Sequence, residues 1–320
     1  MAPVLYPLTN TLIMHLRAPF LNAERPWTND VLPLVPEQDR ASYAQALERE
    51  AVSEAAAYAA WRVPAVWVSG GGLVGNGLAG LLAVLRDAYA LCDADGLAAE
   101  VTVEVDPDAI CADLLDNLAA GGVNRIAIDL LTASVLEARE LGCVRELGTM
   151  GVLQALMAER GTEAAVRLLA GIPGQTARSG VESVEAVLAL GACEVDIQPF
   201  LLDPDTPLAH ARLRHDDGWR QQPVHRLPTT VERAAIAAAM GACLAREGFT
   251  EYLPGVWALA GYESRYRRLR STGCAVLGCG LGARTRVHGV VSVNTRDLAT
   301  YLEAANDPER RVVERYAVPE

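Results

Sequence analysis

AVWVSGGGLVGNGLAGLLAVLRDAYALCDADGLAAEVTVEVDPD, residues 65–108, holds one complete strand–helix–strand unit. It opens on a short β-branched and aromatic run that ends in three glycines, which is typical of a buried strand and a tight turn. Residues 78–91 have the spacing of an amphipathic helix, and residues 99–108 predict a second strand that stops at Asp106-Pro107. Two strands joined by a helix predict a parallel pair.

The same alternation continues on both sides of this unit. Helices are predicted at 40–60, 109–122, 151–160 and 183–191, and strands at 123–131, 164–175 and 194–202. Repeated units of this kind indicate the α/β class with a parallel sheet. In parallel barrels the active site lies at the carboxyl ends of the strands. Those ends hold Gly70–Gly72, Glu104, Asp129, Gly171 and Gln198.

The character of the chain changes after Thr206. A polar, proline-bearing stretch follows, then a helix over 231–248 and short strands with tight turns over 273–294. We therefore predict a barrel domain at residues 1–209 and a smaller α+β appendage at residues 210–320.

Composition excludes several classes of protein. The formal net charge is −12 and no lysine is present, which argues against nucleic acid as a partner. No apolar run reaches the roughly 18–20 residues of a membrane span, and the N-terminal stretch lacks the basic region of a signal peptide. The seven cysteines are scattered and odd in number, which favours a reducing cytoplasm.

Three candidate features each have a functional and a purely structural interpretation. The glycines of SGGG, residues 69–72, allow a ligand to approach the backbone, or simply form a turn. Glu104 either binds the vicinal hydroxyls of a ribose or is a surface acid. His15 is either a functional group or a satisfied core histidine. No zinc spacing, P-loop, G-x-S-x-G motif or convincing dinucleotide fingerprint is present.

Seven segments in a fixed order resemble one family. They are LIMHLRAPF, VSGGG, VTVEVDPD, GVNRIAID, GIPGQT, IQPFLLDPDTPLA and GYESRYRRLR, the last followed by LGCGLGARTRVHGVVSVNTRDLATYL. The chain resembles the oxygen-independent coproporphyrinogen oxidase and heme-chaperone branch of the radical-SAM proteins, from about residue 10 to 305. The resemblance implies a partial (β/α)6 barrel with a C-terminal appendage. It also implies an iron–sulfur cluster that a C-x-x-x-C-x-x-C motif holds just after "PF" and that chelates S-adenosylmethionine.

The cluster motif is missing from this chain. Residues 15–30, HLRAPFLNAERPWTND, contain no cysteine, and Leu21, Arg25 and Thr28 stand where the thiolates would be. Neither a leucine nor a permanently cationic arginine is an iron ligand. We therefore expect no iron–sulfur cluster and no metal site.

Other family positions have changed as well. The family's GGG-Thr has become GGG-Leu73, and its GVQSF has become Asp129-Leu130-Leu131-Thr132. Arg167 stands where the family has an acid ahead of GLPGQ. The family's ESRHN…YW is here Glu263-Ser264-Arg265-Tyr266-Arg267, then Arg270-Ser271. Since the histidine suited to heme has become Tyr266, heme binding is not expected. Gly70, Gly71, Gly72, Glu104 and Arg125 are retained.

Three functions remain open from the sequence. The first is an enzyme that keeps S-adenosylmethionine and uses it by polar chemistry, a methyl or alkyl transfer or an internal displacement on a small-molecule substrate. The second is a non-catalytic protein that supports a true radical-SAM partner protein or binds a small molecule, and the third is a barrel enzyme that no longer uses this cofactor. For the first, the predicted cofactor contacts are Gly70, Gly71, Gly72 and Glu104, and the candidate catalytic groups are His15, Arg25, Asp129 and Arg125. Without the cluster, a role in bacterial specialised metabolism is expected rather than one in heme synthesis.

Overall fold

The computed structural model describes residues 10–19, 35–70, 77–142, 163–204, 206, 208–209 and 226–318. In these ranges the strands are β1 (Thr11–Arg17), β2 (Arg62–Ser69), β3 (Glu100–Val105), β4 (Arg125–Leu131), β5 (Glu163–Ala170), β6 (Glu194–Pro199), β7 (Thr250–Leu253), β8 (Val256–Ala258), β9 (Ala275–Cys279), β10 (Arg284–Val287), β11 (Val290–Asn294) and β12 (Val312–Ala317). The helices are α1 (Arg40–Ala55), α2 (Leu78–Ala88), α3 (Ala112–Ala120), α4 (Val135–Glu140), α5 (Ala177–Ala189), α6 (Thr230–Arg246), α7 (Arg265–Ser271), α8 (Leu298–Ala304) and α9 (Pro308–Arg311). None of the described helices is long and apolar enough to cross a membrane.

Strands β1 to β6 lie side by side in chain order and every neighbouring pair is parallel. Helical segments connect the strands. Leucine and valine side chains of the helices and of the sheet face that they cover form the large core. The predicted α/β fold with six parallel strands is therefore confirmed. Because the strands are parallel, their carboxyl ends share one edge, which we call the barrel mouth.

The C-terminal strands extend the same sheet at both of its ends. β9 pairs in parallel with β1, and β10, β11 and β12 follow it as antiparallel strands. At the other end β8 pairs antiparallel with β6, and β7 follows. The stretch 210–225, in which a linker was predicted, lies outside the described residues, as does the helix predicted at 151–160.

Helix α7 packs against the concave face of the barrel. Tyr266 and Leu269 of α7 join a small apolar cluster with residues of β1, β2, β4, β5 and β9. The ring centroids of Tyr266 and Trp67 are 5.3 Å apart. The Cζ atom of Arg267 lies 5.2 Å from the Trp67 ring centroid, a cation–π contact. A segment distant in sequence thus fills the interior beneath the barrel mouth.

Glu50 of α1 ties the C-terminal helices to the barrel. Its buried carboxylate accepts hydrogen bonds from Tyr301 Oη (2.6 Å), Asn294 Nδ2 (2.7 Å) and the Gly280 amide (2.8 Å). The Arg311 Nε atom lies 3.0 Å from Glu50 Oε1. Burial raises the pKa of Glu50 from 4.5 to about 7, although Arg311 and these donors lower it.

This raised pKa predicts a fold that loses stability as the pH rises from 5 to 8. The folded state binds a proton at Glu50 that the unfolded state releases near pH 4.5, so the stabilisation is complete below that pH and is lost through about pH 7. We expect Glu50 to contribute a fall of about 2–3 kcal/mol in the free energy of unfolding. Urea unfolding of the wild type and Glu50→Gln at pH 5 and pH 8 measures it, since Gln does not titrate. Parallel pH dependences in the two proteins would refute this.

Candidate active site

Glu104 of β3 is fixed in place at the barrel mouth. Its Oε1 accepts from Trp67 Nε1 at 3.0 Å, and its Oε2 accepts from the Gly70 amide at 2.9 Å. The side chain is half-buried. A carboxylate has about four acceptor sites, so two remain for a ligand. A carboxylate held in this way is suited to the paired hydroxyls of a ribose.

Gly70 is required where β2 leaves the sheet. Its φ is +96°, and a Cβ atom there would lie 2.1 Å from the carbonyl oxygen of Ala18. The glycine therefore lets the turn after β2 lie against the turn after β1. Gly71, Gly72 and Leu73 lie outside the described residues, so their predicted contacts stay predictions.

Gly70→Ala is expected to destabilise the fold by about 2 kcal/mol or more, because it combines backbone strain with a clash against main-chain atoms. Gly191→Ala is the matched control, since Gly191 has φ +82° but a Cβ there meets nothing within 4 Å. Urea unfolding of both variants isolates the clash. Equal losses of stability would show that Ala18 is not in the way.

His15 lies on β1 and faces Ser69. The distance from His15 Nε2 to Ser69 Oγ is 2.9 Å, and the ring centroid lies 6.1 Å from that of Tyr266. Burial, with Arg270 and Arg17 nearby, lowers the pKa of His15 to about 3. The imidazole is therefore neutral at pH 7. Its hydrogen bond fits a satisfied histidine and also a polar group at the mouth, so its catalytic role stays a prediction.

Asp129 and Arg167 form an ion pair on adjacent strands. Arg167 Nη1 lies 2.9 Å from Asp129 Oδ1, and Arg167 Nε lies 3.4 Å from Asp196 Oδ2. Burial lowers the pKa of Arg167, but Asp129, Glu104 and Asp196 outweigh it and raise the pKa above its ordinary value. Arg167 is thus a permanent cation among three carboxylates. Both members of this pair are departures from the family pattern.

A second pair of departures is also in contact. Tyr266 stands at the family's histidine and Arg270 at the tyrosine of its YW, and Arg270 Nη1 donates to Tyr266 Oη at 2.9 Å. Tyr266 is buried, and its hydroxyl gains a donor from Arg270, since a buried hydroxyl without a partner would lose free energy.

We expect the Asp129–Arg167 pair to be coupled by about 1–2 kcal/mol, because both side chains are largely buried and the contact is short. A double-mutant cycle with Asp129→Ala, Arg167→Ala and the combined variant measures this coupling by urea unfolding. The exposed Arg178–Glu182 pair, at 2.8 Å, is the control and should show no measurable coupling. A coupling no larger than the control's would mean that the two departures are independent.

Arg125 lies at the opposite end of the barrel from the other candidates. It is the first residue of β4, and its guanidinium contacts Glu194 Oε2 (3.1 Å), Glu163 Oε2 (3.3 Å) and the carbonyl oxygen of Tyr262 (2.9 Å). These contacts attach the segment before α7 to the end of the barrel opposite the mouth. Within the part of the chain that the structure describes, these contacts of Arg125 lie away from the mouth. Its predicted catalytic role stays a prediction.

Sequence reasoning missed four residues of this region: Trp67, Ser69, Asp196 and Arg267. A signal existed for the strand residues, since side chains of a strand alternate and Asp196 shares a face with Gln198. No local signal existed for Arg267, which reaches Asp196 Oδ2 at 2.9 Å from a distant helix. Arg25, the remaining candidate, lies outside the described residues with Leu21 and Thr28.

The residues present do not fit an iron–sulfur cluster. Clusters of this kind are held by thiolates, and residues 15–30 supply none. In the ranges that the structure describes, no group of three or more His, Cys, Asp or Glu side chains is arranged to hold a metal. Cys274 directly precedes strand β9 and Cys279 ends it; both are buried, and burial raises the pKa of both thiols.

The described fold, an open parallel barrel with polar groups at its mouth, is similar to that of a solved radical SAM enzyme. The solved coproporphyrinogen III oxidase HemN of Escherichia coli, a radical SAM enzyme, matches 97% of this chain and 72% of its own with a TM-score of 0.76 and 20% identity. That likeness shows the fold.

The sequence relatives are heme chaperones. HemW of Lactococcus lactis is 24% identical over 212 residues, 66% of this chain and 54% of HemW. HemW of Mycobacterium tuberculosis is 27% identical over 266 residues, 81% and 64%. The chain thus spans about half to two thirds of the relatives' length, and no protein-family model matches it. The resemblance to the coproporphyrinogen oxidase and heme-chaperone branch is confirmed.

Proposed function

We propose that this protein binds S-adenosylmethionine at the barrel mouth without an iron–sulfur cluster and uses it in polar rather than radical chemistry. The reaction is a methyl or alkyl transfer, or an internal displacement, on a small-molecule substrate of specialised metabolism. The observation that supports it best is the pairing of the departures. Asp129 contacts Arg167 and Tyr266 contacts Arg270, which is expected of a rebuilt site and not of random loss.

The charges on the β3–β6 side of the mouth suit a cationic group of a ligand. On the β3–β6 side, three carboxylates (Glu104, Asp129, Asp196) face two guanidinium groups (Arg167, Arg267), a formal net charge of −1. A sulfonium is a cation, and a net negative site attracts it. The Trp67 ring adds an apolar surface next to Glu104.

Individual residues can be given roles in this proposal. Bound S-adenosylmethionine would supply an electrophilic carbon next to its sulfonium sulfur. Proximity and desolvation would favour attack by a positioned nucleophile, and the C–S bond would break with its electron pair leaving on the neutral thioether. Glu104 accepts from the ribose hydroxyls, and Gly70 orients Glu104 through its amide. Neutral His15 or Asp129 would take up the proton that the nucleophile releases, and Arg25, or another arginine near the mouth, would pair with the ligand carboxylate.

The fate of S-adenosylmethionine tests the polar chemistry. Iron-free protein is incubated with the cofactor and an extract of small molecules from the producing cells, and the adenosyl product is identified by mass spectrometry. Methyl transfer yields S-adenosylhomocysteine, whereas alkyl transfer or internal displacement yields methylthioadenosine. Formation of 5′-deoxyadenosine in this assay, or iron and sulfide in the protein as isolated, would overturn the proposal.

A non-catalytic function is the second candidate, and one observation favours it. Leu131, with φ +69°, packs into an apolar cluster where the family motif has a polar glutamine. The matched relatives are also chaperones rather than enzymes by name. This protein would then support a radical-SAM partner protein. Stable copurification with such a partner, without binding of S-adenosylmethionine, distinguishes this function from the first.

A further inference from the structure

Arg270 is an exposed cation, and its guanidinium donates to a neighbouring tyrosine and to no carboxylate of the described residues. Its Nη1 donates to Tyr266 Oη at 2.9 Å, and its Cζ lies 6.0 Å from the Tyr266 ring centroid. Within the described parts of the chain, no carboxylate forms an ion pair with it. The other arginines of α7 each have one: Arg265 pairs with Asp93, Arg267 with Glu194 and Asp196, and Arg268 with Glu263.

Arg270 lies near His15 of β1, because it contacts Tyr266, whose ring centroid is 6.1 Å from that of His15. Its charge is the second cause, after burial, of the lowered pKa of that histidine. His15 is neutral, so it neither pairs with Arg270 nor competes for an anion. The carboxylates gather on the opposite, β3–β6 side. Within the described residues, a cation without a carboxylate partner thus lies near β1, and a net negative charge lies on the β3–β6 side.

We propose that Arg270 is the anchor of a carboxylate subsite on the β1 side of the mouth. This inference rests on the proposed function and names the part of the ligand that the subsite receives: the carboxylate of its amino-acid group. The nucleoside end lies toward Glu104, and the amino-acid end lies toward Arg270. In radical-SAM relatives the cluster chelates that carboxylate, and this chain has no thiolates to hold a cluster there.

The chemistry of the group matches this role. A guanidinium binds a carboxylate through charge-assisted hydrogen bonds, with two parallel donors when the geometry allows. Nη1 of Arg270 donates to the Tyr266 hydroxyl, and this hydrogen bond fixes the plane of the guanidinium. Nη2 remains for the ligand. A lysine supplies the charge without the planar fork, so it should replace Arg270 only in part.

Calorimetric titration with two ligands tests the subsite. S-adenosylmethionine carries the carboxylate, and decarboxylated S-adenosylmethionine lacks it but keeps the sulfonium and the nucleoside. We expect the wild type to bind the first about 10- to 100-fold more tightly. Arg270→Gln should lose this preference, Arg270→Lys should keep part of it, and Arg268→Gln, two residues away on the same helix and already paired with Glu263, should keep all of it.

Each outcome separates this inference from the proposed function. Equal binding of both ligands by the wild type, or an unchanged preference in Arg270→Gln, overturns the subsite and leaves binding of S-adenosylmethionine intact. No binding of either ligand at millimolar concentration overturns both. Circular dichroism of the variants shows that they are folded, which is expected because the Arg270 side chain is exposed.

Discussion

Arg125→Ala is expected to destabilise the fold by about 3–5 kcal/mol, the usual cost of removing one partner of a buried ion pair. The Arg125 guanidinium is 2% exposed and Glu194 is fully buried. Without Arg125, Glu194 would retain Arg267 Nε at 3.2 Å, Tyr252 Oη at 2.6 Å and the Ser264 amide at 3.0 Å. One guanidinium would then serve two buried carboxylates, because Arg267 also pairs with Asp196.

Urea unfolding at pH 7 measures this loss. Arg178→Ala is the matched control, since Arg178 is an exposed arginine whose partner, Glu182, lies on the same helix. It should leave the unfolding curve unchanged. If Arg125→Ala were as stable as this control but inactive, Arg125 would have the catalytic role that the sequence predicted, and the structural interpretation of its contacts would be wrong.

Glu104→Ala is expected to weaken binding of S-adenosylmethionine about 100-fold. Hydrogen bonds to a charged group contribute about 1.5–3 kcal/mol each, and the variant removes the acceptor of both ribose hydroxyls. It also removes one negative charge from the side of the mouth that faces the sulfonium. Calorimetric titration of the variant against the wild type measures the change.

Glu163→Gln is the control for this effect of charge. Glu163 is the first residue of β5 and is 46% exposed. It contacts Arg125 at the end of the barrel opposite the mouth. Neutralising it should leave the affinity for S-adenosylmethionine unchanged. If both variants weakened binding equally, Glu104 would act only through the general field of the barrel and not as a ligand contact.

The barrel and part of its mouth could be predicted from the sequence because both depend on local patterns. The alternation of strands and helices predicts parallel strands, and parallel strands bring Glu104 and Asp129 to one edge. Gly70 could be singled out because it follows a strand. The need for glycine at position 70 is not local, however, because it arises from the nearby carbonyl oxygen of Ala18.

The rest of the site depends on contacts between distant segments. Nothing in the spacing of residues 265–271 indicates that α7 lies against the concave face of the barrel, where Arg267 reaches Asp196 and Trp67. The pairing of β9 with β1 likewise joins segments that are about 260 residues apart. Nor could the sequence show that the changed residues 129 and 167 contact each other, since register between β4 and β5 sets that distance.

Retention of the cofactor in the absence of a cluster is tested most directly by titrating iron-free wild-type protein with S-adenosylmethionine in a calorimeter. We predict saturable one-site binding with a dissociation constant in the micromolar range. That range corresponds to roughly −8 kcal/mol of binding free energy. No heat of binding at millimolar ligand, or binding that appears only after an iron–sulfur cluster is reconstituted, would contradict the proposal that the rebuilt mouth holds this cofactor.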